Sequence, residues 1–259
     1  MAKTPDAKPT VILVGADKGG VGKTTITRTL LDYLAANHVP RRAFDTEVPK
    51  GTLKRFHPDI TDVVDVTAAR DQMKIFDTIN AAEMTVIDVR AGLLTATLGA
   101  LRDIGFLDAA KKGDFNFTVF HILGPTIASL EEIADTSAYL DGTRHFLVKN
   151  FINNTTFFEW DPGTYNTYFS KIEGAKEITV PRLNELACEQ VELASVPFAA
   201  FVANRMPDGR DGAFSFVLRG YVRHWLNHVW SEYDRVGLIS PVAQKQAKQP
   251  ELEEEQKVA

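Results

Sequence analysis

Across 259 residues there is one cysteine, Cys188, so no internal disulfide can form and packing must hold the fold. That scarcity suits a reducing compartment, and a cytoplasmic location is expected. No apolar run approaches the roughly 18 residues needed to span a bilayer. The segment Met1 to Pro9 is short, polar and proline-bearing, without the apolar core of a secretory leader. The sequons within Asn153-Asn154-Thr155-Thr156 are therefore expected to be idle loop residues. Nor is there an excess of positive charge. With 29 Lys and Arg against 34 Asp and Glu, the net charge of −5 excludes a wholly basic nucleic-acid binder but leaves room for a local basic face. No internal repeat is found, and the only biased stretch is the polar end, 244–259. Its acidic run Glu251-Leu252-Glu253-Glu254-Glu255 predicts a disordered tail. The length suits one large core or two small ones, and with an otherwise ordinary composition a single domain over 1–243 is the economical expectation.

What the chain has instead is alternation. Short apolar runs read as strands at Thr10–Val14, Arg42–Phe44 ending on Asp45, Val63–Val66, Met84–Asp88, Phe115–Leu123, His145–Val148 and Glu177–Val180. Between them, helical spacing spans Thr24 to Asn37, Ala68 to Asn80, residues 93–112 stopped by Gly113, and Thr126 to Leu140. Asp45 to Phe56 reads as a polar, turn-rich segment. From Asn184 onward the pattern is helix or loop, with a strong apolar stripe from Val217 to Trp230. Strands and helices in this order predict an α/β fold, a mostly parallel twisted sheet with helices on both faces.

The stretch that organises the chain is Gly15-Ala16-Asp17-Lys18-Gly19-Gly20-Val21-Gly22-Lys23-Thr24-Thr25, between the first strand and first helix. Gly19, Gly20 and Gly22 let the backbone wrap so that successive N–H groups, from Lys18 through Val21 to Thr25, point into one concavity. The following helix adds its own unpaired N–H groups and the positive end of its dipole. Lys23 is placed to carry an ammonium to the β and γ phosphates of a nucleotide, and the Thr24 hydroxyl to be a Mg²⁺ ligand. In open α/β sheets ligands sit at the carboxyl ends of strands, where Asp45 and Asp88 also fall. A Mg·ATP site needs acidic groups there.

Asp17 stands where the general phosphate-loop pattern has glycine, and an extra lysine, Lys18, stands near the loop's start. This K-G-G-x-G-K-[ST] form resembles the deviant phosphate loop of the ParA/MinD family of ATPases. The resemblance implies that Lys18 reaches the nucleotide of the other subunit in an ATP-bound homodimer. It places a first switch at Asp45-Thr46-Glu47, where a glutamate replaces the family's second aspartate and inherits the task of positioning the attacking water. It places a second at Asp88-Val89-Arg90-Ala91-Gly92, with Asp88 as Walker B acid, Gly92 as γ-phosphate sensor, and Arg90 where proline is usual. Asn150 matches an asparagine that reads the adenine edge, and Pro181 a proline near the base. The resemblance covers Thr10 to Pro181. It implies a Mg·ATP-driven assembly switch for DNA partition or cargo positioning, with slow hydrolysis stimulated by a partner protein. A small-molecule ligase or kinase on the same fold, and a nucleotide-binding scaffold with negligible hydrolysis, remain open alternatives.

Other features carry less. His224 and His228 share a helix face, but no third ligand accompanies them. The Val217–Trp230 stripe reads as a core helix rather than a membrane-surface one, since an acidic end follows it. Arg205, Arg210, Arg219 and Arg223 form a locally basic region that the resemblance offers as a non-specific DNA contact. The aromatics Phe157, Phe158, Trp160, Tyr165, Tyr168 and Phe169 are expected in core or dimer surface. With one cysteine, the chain lacks the paired thiolates of the nitrogenase iron protein, a relative in fold.

Overall fold

Each apolar run becomes a strand because its alternate side chains find a covered face. In β1 (Thr10–Gly15), Ile12 and Val14 enter one hydrophobic cluster while Val11 and Leu13 enter another on the opposite side. A strand buried on both faces needs apolar residues throughout, which is why these runs do not alternate with polar ones. The structure is a computed structural model and describes residues 8–152, 163, 166, 167 and 174–239. Seven strands pair in the order β3-β2-β4-β1-β5-β6-β7, every pairing parallel. The others are β2 (Arg41–Asp45), β3 (Thr61–Val63), β4 (Met84–Asp88), β5 (Asn116–Leu123), β6 (Arg144–Asn150) and β7 (Lys176–Val180). The α/β expectation holds.

Helix α1 (Lys23–Ala36) packs against one face with α7 (Glu185–Ala194), α8 (Phe198–Val202) and α9 (Phe216–Arg235), joined by α2 (Thr52–Phe56). Helices α3 (Ala69–Phe76), α4 (Leu94–Asp103) and α5 (Phe106–Lys112) cover the other, and α6 (Ile127–Ser137) closes over β5 and β6. Each fully buried Leu, Ile or Val contributes about 1.5–3 kcal/mol. Near the middle of α1 the buried Arg28 guanidinium lies between the rings of Phe56 and Phe198, 3.4 and 4.2 Å from their centroids. It pairs with Glu192, whose other oxygen takes Arg55 at 2.6 Å. One glutamate thereby holds α1, α2 and α7 together.

Several elements depart from the sequence reading. The third strand lies at Thr61–Val63 rather than Val63–Val66, because its partners Ala43–Asp45 set the register. The turn-rich Asp45–Phe56 segment contains α2. Helix 93–112 is two helices, broken where Gly105 adopts φ 75°. The helix expected from Ala68 to Asn80 stops at Phe76, followed by a 3-10 turn at Ile79–Ala81. In α9 the central Val222, Trp225, Leu226 and Val229 are core, as expected, but Val217 and Tyr221 in the first turns are exposed. The six aromatics from Phe157 to Phe169, the sequons and the acidic tail lie outside the described residues. Among the described residues no helix is long and apolar enough to cross a membrane.

Candidate functional site

The loop between β1 and α1 is built as its glycines require. Gly20 and Gly22 sit at φ 73° and 89°, a region open to glycine and strained for other residues. A side chain at Gly22 would also collide with the Asn150 amide, which donates to the Val21 carbonyl at 2.8 Å. The first in-helix bond of α1 runs from the Ile26 N–H to the Gly22 carbonyl at 3.0 Å, so the N–H groups of Lys23, Thr24 and Thr25 have no intrahelical acceptor. The buried Lys23 reaches back, and its Nζ donates to the Lys18 carbonyl at 3.0 Å. Burial lowers the Lys23 pKa, against the pull of Asp88, Glu132, Asp17 and Glu47.

Parallel register puts the last residues of β2 and β4, Asp45 and Asp88, side by side. Asp88 accepts from Thr24 Oγ1 at 2.8 Å and from Thr27 Oγ1 at 3.0 Å. Burial pushes its carboxyl up to about 7; Asp45 adds to the rise, and the two hydroxyls and Lys23 oppose it. Asp45 turns its oxygens to backbone amides, those of Glu47 at 2.9 Å and of Leu53 and Lys54 at 2.7 and 3.4 Å. It thus caps α2 from outside that helix. Its pKa is raised by burial, and the three amides hold the rise back. Glu47 accepts from the Thr52 hydroxyl.

These groups meet in one cleft of about 280 Å³ lined by Gly20, Gly22, Lys23, Thr24, Thr25, Asp45, Glu47, Asp88, Val89, Arg90 and Ala91. Lys18 and Gly19 are exposed at its rim, as is Gly92, which sits at φ 80° beside the Asp17 carbonyl. The two strand-end loops are tied together: the Thr46 N–H donates to the Asp88 carbonyl at 3.1 Å, and its hydroxyl accepts from the Arg90 N–H at 2.7 Å. A concave run of N–H groups with an ammonium suits a polyphosphate, and a hydroxyl beside carboxylates is an oxygen-only set suited to Mg²⁺.

Not every expected residue lies in that cleft. The Asn150 amide is buried behind the loop on Val21. Pro181 follows β7 and accepts from Trp225 Nε1 at 2.7 Å, lining a separate groove with Arg182, Asn184, Tyr221, His224 and His228. Of the four basic-region arginines, Arg205 and Arg210 pair with Asp211 and Asp208 at 2.6 Å. Arg219 donates to the Val202 carbonyl, and only Arg223 lacks a partner among the described residues. His224 and His228 are exposed, and no cluster of three metal-ligating side chains occurs among the described residues.

Three residues that sequence reasoning missed complete the site. Thr27 lies one turn after Thr24, a spacing that could have revealed it. Asp17 caps α4 from the phosphate loop, accepting from the N–H and hydroxyl of Thr95. Glu132 on α6 accepts the Asp17 N–H at 3.0 Å and faces His121 at 3.5 Å. No local pattern announces either contact.

No family model matches the chain, and no curated protein sequence matches it. Solved structures do. A ParA family ATPase from Chlorobium tepidum aligns over 86% of this chain and 99% of its own, with 12% identity and a TM-score of 0.53. A nucleotide-binding protein in complex with ADP from Archaeoglobus fulgidus aligns over 71% and 85%, with 18% identity and a TM-score of 0.44. The MinC:MinD cell division complex of Aquifex aeolicus aligns over 85% and 96%, with 12% identity and a TM-score of 0.44. At such identities the similarity to the ParA family ATPase establishes a shared fold.

Proposed function

We propose that this chain is a ParA-like ATPase that binds Mg·ATP and uses nucleotide state to control its own assembly. The observation that carries the reading is the convergence, in one cleft, of the glycine loop and α1 start with Lys23, Thr24, Asp45 and Asp88. The N–H groups at the head of α1 and Lys23 would bind the phosphates. Thr24 and Asp88 would hold Mg²⁺, with Asp45 behind them. When bound, the metal neutralises phosphate charge. Hydrolysis adds water to the γ-phosphorus, breaks its bond to the bridging oxygen, and leaves that electron pair on ADP; the water's proton leaves with the phosphate product or solvent. Glu47, which accepts from Thr52 through one carboxylate oxygen, would orient the water with the other.

Assembly is supported by what surrounds the cleft. The exposed Lys18 side chain makes no hydrogen bond or ion pair among the described residues, and Val48, Ile127 and Ile152, all just past strand ends on this edge, are exposed apolar groups. A second copy facing this edge would cover them and bring Lys18 to its partner's nucleotide. Loss of the γ-phosphate then releases the dimer. Light scattering tests this: a monomer with Mg·ADP and a dimer with a slowly hydrolysed ATP analogue are expected. Unchanged mass in both states would overturn the assembly role and favour a small-molecule enzyme.

A further inference from the structure

Arg90 has a fixed backbone and a free head. Its N–H donates to the Thr46 hydroxyl at 2.7 Å, and the preceding Val89, buried, donates to the Val14 carbonyl at 2.8 Å. Its Cα is therefore anchored to two strand ends. Its side chain is exposed and makes no hydrogen bond or ion pair among the described residues. A guanidinium without a carboxylate is unusual beside three of them, for Asp45, Glu47 and Asp88 line the same cleft. Among the described residues lining that cleft the cations are Lys23 and Arg90, and Lys23 already spends one donor on the Lys18 carbonyl. Beside a bound metal ion, a polyanion in so acidic a cleft gains from a further cation on the chain itself.

We propose that Arg90 grips the terminal phosphate of a nucleoside triphosphate bound in its own subunit, making the loop after β4 a discriminator of triphosphate from diphosphate. The inference rests on the nucleotide reading above. A terminal phosphate offers oxygens in the spacing that a planar guanidinium fork takes two at a time. A diphosphate, one phosphate shorter, presents none of them. Because the Arg90 N–H is bonded to the Thr46 hydroxyl, the residue that grips the phosphate is tied to the loop after β2, where Glu47 lies.

Titration calorimetry with Mg²⁺ and either ADP or a non-hydrolysable ATP analogue, on wild type, Arg90→Ala and Arg90→Lys, tests this. Arg90→Ala is expected to keep wild-type ADP affinity and lose about tenfold to hundredfold for the analogue, the range of a charge-assisted hydrogen bond. Arg90→Lys should recover part of the loss, supplying charge without the fork. A purely structural role would weaken both ligands or lower the melting temperature. Equal analogue affinity in Arg90→Ala and wild type overturns the assignment and leaves the nucleotide site standing. A loss seen only at concentrations where the chain dimerises moves Arg90 to the partner's nucleotide and overturns the same-subunit contact. If wild type binds neither ligand, site and assignment fall together.

Discussion

Asp88 is the residue whose ionisation matters most. Its carboxyl is raised to about 7 by burial, so between about pH 4 and 7 the folded chain holds a proton that the unfolded chain has released. Asp88 therefore contributes stability that declines as pH rises through that window and is level above it. Asp88→Asn removes this slope: at pH 8 its thermal midpoint is expected to equal or exceed that of wild type, while Mg²⁺-dependent nucleotide binding is lost. Wild-type Mg²⁺-dependent affinity should itself weaken below about pH 7, because a protonated carboxyl cannot serve the metal. Calorimetry and scanning fluorimetry across pH 5 to 9 check both. The position of Asp88 was legible in sequence because an apolar strand runs straight into it. Its two hydroxyl partners were only half legible: Thr24 through the motif, Thr27 through helical spacing that was not used.

Among elements, the informative contact is the cap that the phosphate loop lends to α4. That helix has no side-chain cap of its own, since Leu93 precedes it, and Asp17 supplies one from a distant strand end. Asp17→Ala should cost about 1 kcal/mol, a shift of about 2–4 °C in melting temperature, whereas Asp17→Asn, which can still accept, should stay near wild type. Equal losses in both variants would show that the cap is not what Asp17 contributes. Sequence reading placed the central strands because burial on both faces writes itself as unbroken apolar runs, and it displaced the short edge strand β3, whose Thr61-Asp62-Val63 carries no such run. It missed α2 and the α4–α5 break because each depends on a single residue whose effect is not periodic: Asp45 capping from outside the helix, and Gly105 turning left-handed. It placed Asn150 at a strand end but could not foresee the amide turned onto Val21, a contact between residues far apart in the chain.

For the whole molecule, the exposed Lys18 gives the sharpest test of assembly. Lys18→Ala should bind an ATP analogue with Mg²⁺ as wild type does, since Lys23 and the loop amides remain, yet stay monomeric in light scattering. A full dimer in that variant would remove Lys18 from the interface. Two of the four arginines of the basic region, Arg205 and Arg210, are paired with neighbouring aspartates and Arg219 donates to a backbone carbonyl, which argues against all four acting together as a phosphate-contacting face. The sheet's order also sets a schedule for synthesis. β1 pairs with β5 through Gly15 and His121, and the Val21 carbonyl awaits the amide of Asn150, 129 positions later. At ribosomal speed that interval lasts on the order of 10 s. The glycine loop, among the first segments to be translated, thus gains the Asn150 contact that backs it only after more than half of the chain has been made.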